Sequence, residues 1–392
     1  MCCFFPLILR KIFSIIKKTD PTKSFFTEKV EKEFSLMKTF SRFGISSLLL
    51  VTILTWTLAA CGGEDSTPKS SSSGTGVTVH LGYFPNLTHA AALVGLARKT
   101  YEQELGPNKL TTTIFNAGGD LVKVLLGGNI DIAFLGPDPA IYAYVQSKGS
   151  VHVLAGASSG GVLFVVQPDE NINGPNDLHG KKIADPQKLN TQDVSLHHYL
   201  QQHGLKADDQ GGDVQVIATS NANTVSLFKQ HQIDGAWIPE PWASRLVAES
   251  KGKVLLDERT LWPDGKFVTT NIVVRTEFQK QHPDIVKAFL KAEVDTIQYI
   301  NKNPAEAKNL ANEYLASVLP GGKKLDQQIM DSAFDHLSVT YDPLAQTLYT
   351  FGDYAYSVGF LKEKPDLTGI YDLDPLNSVL SSQGLSPVTA SK

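Results

Sequence analysis

Two distant stretches of the chain spell nearly the same pattern. "IDIAFLGPDP" (130–139) and "IDGAWIPEP" (233–241) align as Ile-Asp-x-Ala-aromatic-aliphatic-(Gly)-Pro-acid-Pro with one gap. Each follows a helical run with leucine or phenylalanine anchors, "VKVLLGGN" and "VSLFKQHQ", and each precedes another helical run. A chain that twice writes helix, buried strand, loop and helix is confined to α/β units, and the repeat implies two lobes of like build.

The rest of the chain from Val77 keeps the same rhythm. "VTVHLGYF", "LTTTIF", "IDIAFL" and "VHVLAGA" are β-rich. Between them the spacing predicts helices over 89–104, with Thr88 as N-cap, over 120–126, and from about Pro139. Strands alternating with helices argue for mostly parallel sheets covered by helices. "GVLFVVQP" (161–168) and "FVTTNIVVR" (267–275) are continuous β-rich runs suited to carry the chain from one lobe to the other and back. The expected division is 77–167 for the first part of lobe 1 and 168–268 for lobe 2. Residues 269–392 then return to lobe 1 and add C-terminal helices with 3.6-residue apolar spacing.

Charge divides the chain differently. Residues 1–60 hold nine Lys/Arg against four Asp/Glu, leaving 27 against 36 beyond them and a net −9. A body this acidic argues against a nucleic-acid surface. Within the basic segment, Met37 opens "MKTFSRFGISSLLLVTILTWTLAAC": two early cations, an apolar run from Ile45 to Ala60, then Cys61. That is the plan of a secretory signal, and the run is short for a membrane span. "LAAC" resembles a bacterial lipobox, which implies a signal at 37–60 and lipid on Cys61. Residues 1–36 then read as a mis-called start. Residues 61–76 are a Ser/Gly-rich tether. The only other cysteines are Cys2 and Cys3, so the body has no thiol or disulfide chemistry.

Ligands of open α/β sheets bind beyond the carboxyl ends of strands, at the starts of the following helices. "YFPNLTHA" supplies Tyr83, Phe84, Asn86 and His89 at such a place. The repeated strands end on Gly136, Pro137 and Asp138 in one copy, and on Trp237, Glu240 and Trp242 in the other. Prolines there also serve as plain helix punctuation. Asn190, Thr191 and Gln192 offer side-chain donors beside free backbone N–H groups, which suits an oxyanion; Asn-Thr is equally a good N-cap. Ser158 and Ser159, in "GASSGG", offer hydroxyls or form a plain loop, and Thr270 ends "FVTT". Trp237 stands where Phe134 stands in the first copy and so also reads as core. Trp242 is the better ligand wall. Glu240 either meets a cationic group of the ligand, caps its own helix, or pairs with Arg245.

No H-E-x-x-H or P-loop is present, and His197 and His198 are adjacent rather than one turn apart. No enzyme, metal or cofactor is expected.

Taken together, "LGYFPNLTHAAALVG", "FNAGGD", "FLGPDPAIYAYVQS", "AGASSGG", "NTQDVSLHHYL", "FKQHQIDGAWIPEPWASRL" and "LWPDGKFVTT" resemble the aliphatic-sulfonate, taurine and nitrate family of ABC-transporter solute-binding proteins. The resemblance implies an α/β, two-lobed periplasmic-binding-protein-like fold of the second type, with the second lobe inserted into the first and closing on ligand. It implies a small-molecule ligand, taurine or an alkanesulfonate, with nitrate, bicarbonate, a pyrimidine precursor or a fold-related thiamine-pyrimidine enzyme as alternatives. It also implies an ABC permease and its ATPase as partners, and lipid anchoring on the extracytoplasmic face of a membrane. In that family a glycine usually precedes the Asn-Thr-Gln-Asp run; here it is Leu189.

Overall fold

The computed structural model describes residues 76–391. The expected start at 1–36, the signal at 37–60, Cys61 and nearly all of the tether therefore lie outside the described residues.

The first sheet has the order β11-β4-β10-β3-β1-β2. Its parallel members are β1 (Thr78–Tyr83), β2 (Lys109–Ile114) and β3 (Ile132–Leu135). Helices α1 (Ala90–Ala97) and α2 (Thr100–Leu105) join the first two, and α3 (Gly118–Leu126) joins the second and third. After β3 come α4 (Pro137–Gln146) and β4 (Val151–Gly160).

The second sheet has the order β7-β6-β8-β5-β9 and is built entirely from the middle of the chain. In sequence it runs β5 (Val162–Val166), β6 (Lys182–Asp185), α5 (Thr191–Gln202), β7 (Gln215–Ala218), α6 (Asn221–Lys229), β8 (Gly235–Pro239), α7 (Trp242–Ser250) and β9 (Lys253–Asp257). β10 (Val268–Arg275) returns to the first sheet, antiparallel to both β3 and β4. Helices α8 (Thr276–Gln281), α9 (Pro283–Lys302), α10 (Pro304–Val318) and α11 (Gln327–Asp335) follow. Strand β11 (Leu337–Val339), α12 (Ala345–Ser357) and α13 (Asp374–Ser382) complete the strands and α-helices of the described residues.

The two copies of the repeat occupy equivalent places. β3 lies between β1 and β10 in one sheet, and β8 lies between β6 and β5 in the other. Each has a parallel neighbour on one side and an antiparallel one on the other. Phe134 and Trp237 hold matching positions and are both fully buried, because each strand is covered on both faces.

The chain first passes between the sheets at Gly160 and Gly161, with φ of 74° and 77°. Glycine is needed here. Both residues lie in the left-handed region, and a Cβ on Gly160 would come within 2.7 Å of the His336 carbonyl oxygen. The same carbonyl accepts from Gly161 N at 2.7 Å. β5 already belongs to the second sheet, ahead of residue 168.

Two local expectations differ. The helix over 89–104 is broken: a 3-10 turn (Leu87–His89) leads into α1, and Lys99 in the left-handed region separates α1 from α2. Tyr101 explains the break. Its ring lies against Gly95, where any Cβ would clash, and its hydroxyl donates to Glu293 on α9. α2 is thus folded back onto α9, which an unbroken helix would not allow. "GASSGG" is no loop, because β4 continues through it to Gly160.

Candidate functional site

A cavity of about 30 Å³ lies where loops from both sheets meet. From the first sheet it takes Phe84, Asn86 and His89 after β1, Ala117 and Gly118 at the start of α3, and Gly136 and Pro139 at the start of α4. From the second it takes Asn190, Thr191 and Gln192 at the start of α5, Asn221 at the start of α6, and Pro239 at the end of β8. These are the carboxyl ends of the parallel strands, so several helix N-termini face one space. Helix starts carry unsatisfied N–H groups and a partial positive charge, which favours an anion. Among the described residues, no lysine, arginine, aspartate or glutamate lines the cavity.

The start of α5 is the most developed anion feature. Asn190 is its N-cap, accepting from Asp193 N at 3.0 Å. Thr191 Oγ1 is buried and has no partner among the described residues. Gly136 is required opposite it, since a Cβ there would come 2.6 Å from that hydroxyl oxygen. Leu189 has φ 64°, the left-handed conformation a glycine would take, and its side chain is 42% exposed. The departure from glycine therefore leaves the loop's backbone shape intact and points the leucine outward. His89 closes the floor; burial drops its pKa to about 3, so it is neutral.

Other expected residues stand away from the cavity, most of them built into the core. Tyr83 is core, with its hydroxyl 3.0 Å from that of Tyr314. Trp237 packs on Phe164 and donates to Glu258 Oε2 at 2.7 Å. Ser158 Oγ donates to the Thr88 carbonyl, and Ser159 Oγ accepts from Phe267 N. Pro137 is the first residue of α4 and Asp138 the second; neither lines the cavity. Thr270 is buried in β10, and its neighbour Thr269 lines the cavity instead.

Glu240 is buried and does not line the cavity. It accepts from Ser244 N and Ser244 Oγ, both at 2.9 Å, and lies 2.8 Å from His336 Nδ1. Arg245 pairs with Glu249 rather than with Glu240. Trp242 is near the site but serves differently from a wall: its Nε1 donates to Asn86 Oδ1 at 2.8 Å, tying the two halves together. The sequence reading passed over Asn221, Asn116 and Thr269. Asn221 follows Ser220, an N-cap that marks a helix start as Asn190 does, and that signal was available.

Among the described residues no His/Cys/Asp/Glu group is arranged to hold a metal, and no helix is long and apolar enough to cross a membrane.

The NMT1-like family's sequence profile matches residues 74–315. The taurine-binding periplasmic protein of Escherichia coli is 32% identical over 214 residues, covering 54% of this chain and 64% of that protein. The nitrate/nitrite binding protein of a Nostoc species is 26% identical over 242 residues, covering 57% of this chain and 53% of that protein. The chain thus spans between half and two thirds of these relatives' length. Among solved structures, the alkanesulfonate-binding protein of Xanthomonas axonopodis pv. citri, bound to MOPS, superposes with a TM-score of 0.65 at 18% identity, covering 77% of this chain and 100% of that one.

Proposed function

The chain belongs to the NMT1-like family, and on that footing we propose that it is an extracytoplasmic solute-binding protein delivering a small organic sulfonate, of the taurine or alkanesulfonate type, to an ABC importer. Its partners are then a membrane permease and that permease's ATPase, and lipid on Cys61 holds it to the membrane. The carrying observation is the cavity at which the starts of α3, α4, α5 and α6 converge, lined among the described residues by no charged side chain and by Thr191, whose buried hydroxyl has no partner among them. Such a site binds an oxyanion through neutral donors and helix dipoles, without a fixed cation. The names of the taurine-binding relative and the alkanesulfonate-binding structural neighbour support the same chemistry.

A planar inorganic anion is the second reading. The nitrate/nitrite binding relative favours it. Calorimetry with taurine, ethanesulfonate, nitrate and bicarbonate separates the two. The expected outcome is that a sulfonate binds most tightly and that Thr191→Val weakens it by about tenfold, the scale of one hydrogen bond to a charged group. Tighter binding of nitrate or bicarbonate would replace the sulfonate reading with the inorganic one.

A further inference from the structure

An indole N–H donates and never accepts. Trp242 Nε1 therefore decides which end of the Asn86 amide is oxygen, a choice that the amide's shape alone leaves open. Asn221 meets that same Asn86 oxygen at 3.4 Å. With an acceptor opposite, the Asn221 atom there is the amide nitrogen, so Asn221 Oδ1 turns the other way. That oxygen is buried, and no donor among the described residues reaches it. Asn221 lines the cavity and is only 6% exposed. A buried carbonyl left without a donor is unfavourable, so a donor belongs there.

We infer that Asn221 Oδ1 is a specificity-determining acceptor, held in place by the Trp242–Asn86 relay, for an N–H or O–H donor on the ligand. This rests on the sulfonate reading above and deepens it: the ligand is a sulfonate that carries a hydrogen-bond donor. The cavity then has two poles. Thr191 Oγ1 and the start of α5 meet the oxyanion, and Asn221 Oδ1 meets the donor. Glu240, the group the sequence offers for a cationic end, is already engaged by Ser244 and His336. The uncharged lining favours an ammonium, because an aminosulfonate is a net-neutral zwitterion. The positive dipole end of α6 favours a hydroxyl. Trp242 acts as a positioning residue: it sets the direction of two amides and leaves the ligand contact to Asn221.

The test is calorimetry with three probes that share a two-carbon sulfonate: taurine, 2-hydroxyethanesulfonate and ethanesulfonate, which lacks the terminal donor group. The readout is the ratio of affinities, measured on wild type, Asn221→Leu and Trp242→Phe, with thermal melts to verify folding. Wild type should bind one donor-bearing probe at least ten times more tightly than ethanesulfonate. The ratio should fall toward one in Asn221→Leu and drop in Trp242→Phe, which loses the indole N–H and keeps an aromatic ring. Should Asn221→Leu not fold, Asn221→Asp keeps size and acceptor, and its preference for taurine over ethanesulfonate should be no smaller than in wild type. Equal binding of all three probes by wild type, an unchanged ratio in Asn221→Leu, or loss of the preference in Asn221→Asp overturns the inference and leaves the sulfonate reading standing. Binding of no sulfonate at all overturns both.

Discussion

Asp138 enters α4 as its second residue, with both carboxylate oxygens buried and no donor for either among the described residues. Burial pushes its pKa well above 3.8, and the charges of Glu258 and Asp193 push it the same way. A carboxyl raised in the folded state contributes its stability in full below the unfolded value. It loses that stability as pH rises through the folded one. Asp138→Asn keeps the shape and removes the ionisation. The variant should therefore melt above wild type at pH 8, with the gap closing toward pH 4. A melting series across that range checks this, and a gap independent of pH would mean that Asp138 does not titrate on unfolding. Leu189 makes a related point about single residues. Its sequence identity departs from the family's glycine, but its φ of 64° and exposed side chain deliver the same backbone. Holding a leucine there costs about 1–2 kcal/mol, which the capped start of α5 must offset.

Elements meet where the sequence is silent. Glu240 closes the turn between β8 and α7, and His336 links α11 to β11, so their contact joins one sheet's elements to the other's. The Glu240 hydrogen bond raises the His336 pKa; Asp257 adds to this, while burial and Arg259 oppose it. A histidine raised in this way gives its full stability below about 6.5. That contribution fades as pH climbs through the folded value. His336→Gln should thus cost roughly 1.5–3 kcal/mol at pH 6, and less at pH 9. Denaturant titrations at the two pH values measure it, and an equal cost at both would assign the contact to packing alone. The strands and most helices were legible because apolar periodicity is local and the repeat doubled its signal. The partners of Glu240 and Tyr101 were not, since His336 and Glu293 lie far along the chain and no nearby pattern announces them. That Asn190, Thr191 and Gln192 stand together at a helix start was legible, because capping chemistry leaves a mark. The proposed donor pole at Asn221 emerges only from the three-residue relay, which is a product of the fold.

For the whole molecule, the question is how any solute reaches a cavity lined from both sheets by residues that are almost all buried. Admission of a solute is expected to require that the loops from the two sheets separate and settle around it afterwards. The chain joins the sheets at Gly160–Gly161 and again between Asp257 and Val268, two crossings about which such a movement can turn. Away from those crossings, polar ties between the two sheets' elements include Gln187 Oε1 accepting from Gly119 N at 2.7 Å, Asn86 accepting from Trp242 and Asn221, and Glu240 beside His336, while α12 packs on α5 with His198 stacked on Tyr354. Each neutral hydrogen bond among them is worth about 0.5–1.5 kcal/mol net. Solution scattering should show a radius of gyration that falls when a binding sulfonate is added to saturation. Gln187→Ala, which removes one tie from the closed side only, should weaken binding by about threefold to tenfold and leave the ligand-saturated particle as compact as wild type. A scattering curve that stays the same with and without verified ligand would mean that the cavity fills by side-chain movement and that the crossings are rigid.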